Sequence, residues 1–302
     1  MEANREALDR FAQSLKARGS PQTEARYVRA CEALTAAADM TPLCQFKRHD
    51  IQRALAKLHA AGWAPRTLAV TLSAWRSWFR YLAKTDASIN PTVFAGLKPP
   101  KAPKRLPNAL TETDAVHLVA PQDIEKPSPA SARDQAMFEV LYGCGVRIGE
   151  LVGLDVADLD LANGEIRVFG KGRKERVVPL GVPACRAIDV WLTERARSTG
   201  QAPEAALFLG TRGERISAQV VRRALKSRAL ERGISSHVYP HRLRHSFASH
   251  VLQSSGDLRA VQELMGHASI ASTQVYTHLD FQHLAKVYDQ AHPRARKKPA
   301  KP

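Results

Sequence analysis

The chain has 302 residues, with 45 Lys or Arg against 29 Asp or Glu, so its formal net charge at pH 7 is +16. This balance favours a polyanionic partner, nucleic acid first, over a small neutral substrate. Hydrophobic residues make up 44% of the sequence, enough for a buried core, and this length more often forms two domains than one.

The start of the chain, MEANREALDRFAQSLKARG, has neither the apolar region of a signal peptide nor a stretch long enough for a membrane helix. We therefore expect a cytoplasmic protein with no membrane association. Cys31, Cys44, Cys144 and Cys185 form no C-x-x-C pair, which favours reduced thiols in a core over a disulfide framework or a zinc site.

Four helices are predicted over residues 1–90, because apolar residues recur at helical spacing in four segments. Asp50 is expected to cap the third helix. The four stripes are Leu8, Phe11, Ala12 and Leu15; Val28, Cys31 and Leu34; Ile51, Leu55 and Leu58; and Leu68, Leu72, Trp75, Phe79 and Leu82.

The fourth helix also carries Trp78 and Tyr81, with Arg76 and Arg80 beside its aromatic residues. A base-stacking surface is one interpretation of these aromatics, but their helical spacing favours burial. We expect this domain to bind the DNA backbone, with Arg76 and Arg80 among its contacts.

A linker is predicted over residues 91–107, where five prolines are mixed with basic residues. Its Lys101 and Lys104 are candidate DNA contacts. Residues 1–106 contain 18 basic and 8 acidic residues, a net charge of +10, whereas the rest contains 27 and 21, a net charge of +6. The first domain is therefore the denser in positive charge.

The second domain is predicted over residues 108–293. It begins with a helix over ARDQAMFEVLYG, which Gly143 and Gly145 end before Arg147 opens another helix. An arginine beside the free amides of a helix N-terminus can bind a phosphate. The alternative is that Arg147 only forms an ion pair with Glu150 or another acid.

The segment NGEIRVFGKGRKERVVPL predicts a β-hairpin with Lys171 between two glycines at its tip. A lysine there can reach into a DNA groove and protonate a leaving oxygen. Arg173 and Lys174 are candidate DNA contacts. The alternative is a solvated basic loop that includes Lys171, Arg173, Lys174 and Arg176.

Two amphipathic helices follow, PACRAIDVWLTERARS and SAQVVRRALKSRALERG, the second capped by Ser217. Arg222 and Arg223 are candidate phosphate contacts, with Lys226 and Arg228 on the same helix. A plain exposed helix is the alternative.

His241 and Arg244 are three residues apart in the predicted helix PHRLRHSFASHVL, so they share a face and can offer a phosphate several donors. His241 and His245 also have the spacing of a zinc-binding pair. However, Arg242 stands where a metalloprotease has its glutamate, and Arg244 would oppose a dication.

His267 and Tyr276 follow in LMGHASIASTQVYTH. Tyrosine has an unperturbed pKa of about 10 and becomes a nucleophile only where a cationic pocket favours its phenolate. Together with His241 and Arg244, these residues predict a phosphate site aimed at a phenol. Such a site would break a phosphodiester by covalent transfer.

In this order, the motifs GVRIGEL, GKG, HRLRHSFA, LMGH and TQVYTH resemble those of the tyrosine site-specific recombinases, and the likeness spans the whole chain. The resemblance implies a mainly α fold with a small β-sheet. It consists of a helical N-terminal core-binding domain and an α+β catalytic domain. The basic tail over residues 294–302 is expected to be flexible.

The resemblance also implies the residue roles. Glu150 would support the first arginine from behind, and Tyr276 would be the nucleophile that forms a 3′-phosphotyrosyl bond with DNA. Gly149, Ala271 and Ser272 depart from the family pattern, which affects local packing and not the reaction. The catalytic residues implied are Arg147, Lys171, His241, Arg244, His267 and Tyr276.

No metal, cofactor or ATP is implied. The implied partners are double-stranded DNA, a second recombinase of the family in a heterotetramer of two plus two subunits, and a septal DNA translocase as regulator. The stripe Phe281, Leu284, Val287 and Tyr288 would dock on a neighbouring subunit or pack within its own domain. The alternatives are a phage or mobile-element integrase and a non-catalytic architectural DNA-binding protein.

Overall fold

The computed structural model describes residues 2–17, 21–38, 41–101, 109–122, 128–170, 175–199, 205–266 and 278–295. The chain divides into two compact units, Met1–Arg105 and Leu106–Pro302, each with a hydrophobic core of its own. The described residues are mainly helical with one small antiparallel sheet, which confirms the predicted fold class. None of the helices in these ranges is long and apolar enough to cross a membrane.

The first unit is built from four α-helices whose apolar stripes face one another, as their spacing predicts. Trp75 and Trp78 are fully buried, and the indole Nε1 of Trp75 donates to the carbonyl of Ala30 at 2.6 Å. A base-stacking role for these two tryptophans is therefore wrong. The helices are α1 (Glu2–Lys16), α2 (Pro21–Ala37), α3 (Arg48–Ala60) and α4 (Pro65–Leu82).

The third helix begins two residues before Asp50, so the prediction that Asp50 is its cap is wrong. Lys47 is the N-cap, and the Asp50 carboxylate accepts a hydrogen bond from the Lys47 backbone N–H at 3.0 Å. An acidic residue satisfies a free amide from the third helical position as well as from the cap. Sequence alone did not separate these two positions.

The first part of the predicted linker packs in the core of the first unit. Residues Pro91–Phe94 form a 3₁₀ turn, and Val93, Phe94 and Leu97 are buried in the core of the first unit. The turn tolerates Pro91 because its first amides need no helical partner. Residues 102–108 lie outside the described residues, and the other domain boundaries stay predictions.

The second unit surrounds α6, in which residues 136–143 are all buried and which packs against α8, α9 and α10. The strands have the order β1-β2-β3 and are antiparallel, with Ile166 opposite Val178 and Val168 opposite Arg176. The elements are α5 (Glu112–Val119), α6 (Pro129–Gly143), α7 (Ile148–Gly153), β1 (Leu159–Asp160), β2 (Glu165–Phe169), β3 (Glu175–Pro179), α8 (Val182–Thr199), α9 (Ala218–Glu231), α10 (Pro240–Ser255), α11 (Leu258–Met265) and α12 (His278–Ala291).

The last helix packs on its own unit. Leu284 and Tyr288 are buried in the second core, so these two residues do not belong to a free docking stripe. Arg294, placed in the flexible tail by sequence, instead forms an ion pair with the buried Glu139. The tail prediction therefore began too early, and residues 296–302 lie outside the described residues.

Candidate active site

Arg147 lies in the short turn between α6 and α7, at the N-cap of α7. The turn is tight because Gly145 has φ +58°, and a Cβ on Gly145 would run into the ring of Phe247 on α10. The side chain of Arg147 is 44% exposed. The predicted position at a helix start is confirmed. Arg147 also forms an ion pair with Glu150, and its role in binding a phosphate stays a prediction.

Glu150 is buried in the first turn of α7 and is the centre of a cluster of three arginines. Its carboxylate accepts from the Arg147 backbone N–H at 2.8 Å and from Arg147 Nη1 at 2.7 Å. Arg176 donates from both Nη1 and Nη2, each at 2.9 Å. Arg244 Nη1 lies 3.8 Å from Glu150 Oε2.

The protonation states follow from burial and these partners. Burial raises the pKa of Glu150, but the hydrogen bonds and charges of Arg176 and Arg147 outweigh it and hold the pKa at about 2. Burial, helped by the nearby charge of Arg147, lowers the pKa of Arg244 to about 10. At neutral pH the carboxylate is therefore ionised and Arg244 is still protonated.

The same three arginines bind the C-terminal end of α11. Arg176 Nε donates to the carbonyl of Leu264 at 3.1 Å, Arg244 Nη2 to that of Met265, and Arg147 Nη2 to that of Gly266 at 3.4 Å. Carbonyls at a helix C-terminus lack helical partners and carry partial negative charge, so cations suit them. The chain leaves this anchored end through Gly266, which has φ +58°.

His241 and Arg244 both lie near the start of α10, where Pro240 occupies the first turn as predicted. His241 is exposed, whereas Arg244 is 2% exposed and also donates to the carbonyl of Gly145 at 2.5 Å. Within the ranges that the structure describes, no three or more His, Cys, Asp or Glu side chains are grouped as metal ligands.

Three of the six predicted catalytic residues, Lys171, His267 and Tyr276, lie outside the described residues. The structure brings together Arg147, Glu150 and Arg244. The predicted DNA contacts Lys104, Arg173 and Lys174 also lie outside, and their roles stay predictions.

Of the other predicted DNA contacts, four are exposed and one is partly buried. Arg76 is the partly buried one, and its Nη2 donates to the carbonyl of Leu97. Arg228, which sequence placed with the exposed basic residues of α9, is buried instead: it donates to Gln135 Oε1 at 3.0 Å. The exposed residues are Arg80, Lys101, Arg222 and Arg223.

Arg176 is the residue of this site that sequence reasoning missed, because it was grouped with a solvated basic loop. It is only 7% exposed. A signal for its burial was available. Strand alternation puts Arg176 on the same face as Val178, and its partner across the sheet is the buried Val168.

A site with clustered guanidinium groups, one of them partly exposed, is suited to binding an anionic phosphate. The chain matches the phage integrase family over residues 108–283 and the phage integrase N-terminal SAM-like domain over residues 8–86. It therefore belongs to this family, the tyrosine recombinases, which are enzymes that cleave and religate DNA.

Within the family, the chain is similar to tyrosine recombinase XerC 1 of Ralstonia nicotianae, with 49% identity over 85% of this chain and 82% of that protein. It is 47% identical to tyrosine recombinase XerC of Chromobacterium violaceum over 97% of this chain and 96% of that protein. Its fold resembles that of XerH site-specific recombinase bound to difH DNA. The TM-score is 0.71 and the identity 23%, over 92% of this chain and 82% of XerH.

Proposed function

We propose that this site-specific recombinase cuts and rejoins DNA through a covalent bond between Tyr276 and a 3′ phosphate. The observation that supports this assignment is the convergence of Arg147 and Arg244 on one ionised carboxylate, that of Glu150. The two arginines lie 97 residues apart in sequence, and the carboxylate holds two mutually repelling cations together.

In the proposed mechanism, Arg147 and Arg244 bind the non-bridging oxygens of the scissile phosphate, and His267 adds a third donor. Tyr276 Oη attacks phosphorus while His241 assists removal of the phenol proton. The bond from phosphorus to the 5′ oxygen breaks, and Lys171 protonates that oxygen. The arginines stabilise the charge that develops on phosphorus.

The phosphotyrosyl bond replaces one phosphodiester, so little bond energy is lost. The 5′ hydroxyl of a second strand can therefore attack the same phosphorus and release Tyr276 without ATP. The chemistry needs no metal, because the work that metals do in other phosphoryl-transfer enzymes is assigned to the arginines and His267.

The similarity to XerC proteins supports a more specific role. In this role the chain is the XerC subunit of a cytoplasmic heterotetramer, with two copies of a XerD-like recombinase, that resolves chromosome dimers at cell division. The septal DNA translocase FtsK would regulate the assembly.

Trapping the covalent intermediate tests the chemistry. Incubation with a suicide duplex, nicked beside the cleavage site, should give a DNA–protein adduct that survives denaturation, and Tyr276→Phe should give none. Intact DNA binding without an adduct in the wild-type chain would instead support the architectural DNA-binding alternative.

The assignment of Lys171 as the general acid is tested by changing the 5′ leaving group of the DNA substrate. Lys171→Ala should slow cleavage far more than it weakens DNA binding, because the proposed proton transfer occurs in the transition state. A substrate with a more acidic 5′ leaving group should restore much of the rate. A variant that stays slow on that substrate would show that Lys171 is not the general acid.

The integrase alternative differs in its DNA site and partner. A chromosomal dimer-resolution site, recombined only when a XerD-like protein is present, supports the proposed role. A phage or mobile-element attachment site, recombined by this chain alone, would support the integrase.

A further inference from the structure

We propose that Arg176 is a positioning residue for DNA cleavage: it orients Glu150, and through Glu150 the guanidinium group of Arg147, while it ties β3 to the end of α11. The inference rests on the proposed function, because it assumes that Arg147 binds the scissile phosphate.

All three guanidinium nitrogens of Arg176 are engaged by the protein. Nη1 and Nη2 donate to the two carboxylate oxygens of Glu150, each at 2.9 Å, and Nε donates to the carbonyl of Leu264 at 3.1 Å. The side chain is 7% exposed. Arg176 therefore acts through its neighbours and does not itself touch DNA.

The bidentate contact from Arg176 fixes the plane of the Glu150 carboxylate. Oε1 accepts from Arg176 Nη1 and from Arg147 Nη1, while Oε2 accepts from Arg176 Nη2 and from the Arg147 backbone N–H. Each oxygen is thus shared between the two arginines. A rotation of the carboxylate would therefore move the guanidinium group of Arg147, whose side chain is 44% exposed.

Arg176 also links parts of the second unit that are far apart in sequence. It is the second residue of β3, the strand that follows Lys171 in sequence, and it contacts α7 and the C-terminal end of α11. The predicted His267 comes directly after that end. One side chain therefore connects the first turn of α7 with β3, which follows Lys171 in sequence, and with the end of α11, which precedes His267.

Packing alone does not explain why a buried arginine occupies position 176. Removing two charges from water costs so much that a buried ion pair is often no more stabilising than well-packed apolar side chains. Arg176 is in the strand position opposite Val168, on the face where Val178 is also buried, and a valine or leucine would suit that face. The charge is better explained by what it positions.

The test uses the full-length chain and a suicide DNA duplex, with the single-turnover cleavage rate measured at saturating DNA and the affinity measured separately. Arg176→Gln should slow cleavage by about tenfold or more, and should change affinity by no more than about threefold, because the contact acts on the transition state.

A pH profile separates positioning from a merely structural role. Among the residues that the structure describes, Arg176, Arg147 and Arg244 are the charged groups that face Glu150. Without Arg176 the pKa of Glu150 rises, so the cleavage rate of Arg176→Gln should fall as the pH drops through that raised pKa. The wild-type profile should lack this additional fall, because its Glu150 stays ionised, whereas any fall caused by protonation of His241 should be common to both proteins.

Two controls are available in the same unit. Arg167 on β2 forms an exposed ion pair with Glu175 at 3.4 Å, so Arg167→Gln changes the charge of the same hairpin without touching the cluster. Its cleavage rate should stay close to that of the wild type. Arg228→Gln removes a buried arginine on α9 and should destabilise the fold without altering the pH profile.

Arg176→Lys covers the case in which Arg176→Gln does not fold. It keeps a positive charge beside Glu150, but one ammonium cannot contact both carboxylate oxygens and Leu264 in the same geometry. It should fold, bind DNA and cleave slowly.

The inference would be overturned by wild-type cleavage rates in both Arg176 variants. It would also be overturned if their rates fell only in proportion to the unfolded fraction, with an unchanged pH profile, as expected for Arg228→Gln. A wild-type chain that binds DNA but forms no adduct would overturn the recombinase mechanism itself, so the two failures are distinguishable.

Discussion

Two glutamates are buried in the described part of the second unit, and their surroundings shift their pKa values in opposite directions. Glu150 meets three arginines and a backbone N–H, and its pKa is held at about 2 although burial opposes this. Glu139 on α6 meets one arginine, Arg294, and the amide of Gln135. Burial dominates there and raises the pKa of Glu139.

The difference shows what burial of a carboxylate requires. Desolvation penalises the ionised form at both sites, and the number of cationic donors decides the outcome. One arginine does not offset the penalty at Glu139, whereas several donors more than offset it at Glu150. At Glu150 the excess of cations coincides with the proposed phosphate site, whereas at Glu139 the single pair joins Arg294, which follows α12, to α6.

The largest effect is expected for Glu150→Gln, which leaves three cations without their counter-charge. We expect a loss of about 3–5 kcal/mol in the free energy of unfolding at pH 7 and little or no covalent adduct. Chemical denaturation and the suicide-duplex assay measure the two effects.

The pH dependence of this loss has a definite sign. Because folding lowers the pKa of Glu150, its contribution is present above the unfolded value of about 4.3 and is lost as the pH falls towards the folded value of about 2. The stability difference between wild type and Glu150→Gln should shrink in that window. A difference that is constant from pH 6 down to about pH 2 would contradict the assigned role of its partners.

A smaller effect is expected for Glu139→Gln, because Arg294 keeps some access to water. We expect a loss of at most about 1–3 kcal/mol, typical of a hydrogen bond to a charged group and largest at low pH, and a normal yield of adduct. Since folding raises the pKa of Glu139, its contribution is present at low pH and lost as the pH rises through the folded pKa. The stability difference between wild type and Glu139→Gln should therefore change with pH in the opposite direction to that for Glu150→Gln. Equal slopes would show that the two carboxylates do not differ in this way.

Gly266→Ala should crowd the arginine cluster around Glu150 and leave the surroundings of Glu139 unchanged. A Cβ on Gly266 would lie 3.0–3.1 Å from Cδ, Nε and Nη1 of Arg176, on a backbone with φ +58°. The backbone conformation alone costs about 1–2 kcal/mol. Gly256→Ala is the matched control, because Gly256 has φ +68° and open space around it. Gly266→Ala should reduce cleavage more than Gly256→Ala, and equal rates would mean that the cluster adapts.

The smallest effect on folding is expected at arginines that are not buried. Arg222→Ala with Arg223→Ala should leave the unfolding free energy unchanged and weaken DNA binding. If both contact phosphates, the slope of log affinity against log salt should decrease by about 0.9 per contact. Arg197→Ala on α8, an exposed arginine paired with Glu194, is the control. An unchanged slope in the double variant would remove α9 from the DNA surface.

Local patterns in the sequence were sufficient for most of the helices and for the hairpin. The stripe from Leu68 to Leu82 predicts α4, and the alternation of Ile166 and Val168 predicts β2, because burial on one face repeats with the period of the element. Arg147 was placed at a helix start because Gly143 and Gly145 precede it.

Non-local partners account for what sequence did not predict. The burial of Arg176 depends on Glu150, 26 residues earlier, and that of Arg228 on Gln135, 93 residues earlier. Sequence did not predict that Val93, Phe94 and Leu97 join the first core, because they are too few to form a periodic pattern. The 3₁₀ turn that holds Val93 and Phe94 packs on α3 and α4. A basic or proline-rich composition does not reveal such contacts.

The cluster at the start of α7 also has an electrical consequence. Three guanidinium groups and one carboxylate leave two positive charges in excess, and the side chains of Arg176 and Arg244 among them are buried. A phosphodiester in its resting state carries one negative charge, and a pentacoordinate phosphorus attacked by a phenolate carries two. The electrostatic field at this position therefore matches the charge of the short-lived species more closely than that of intact DNA, which is the condition for lowering a barrier rather than merely holding a substrate.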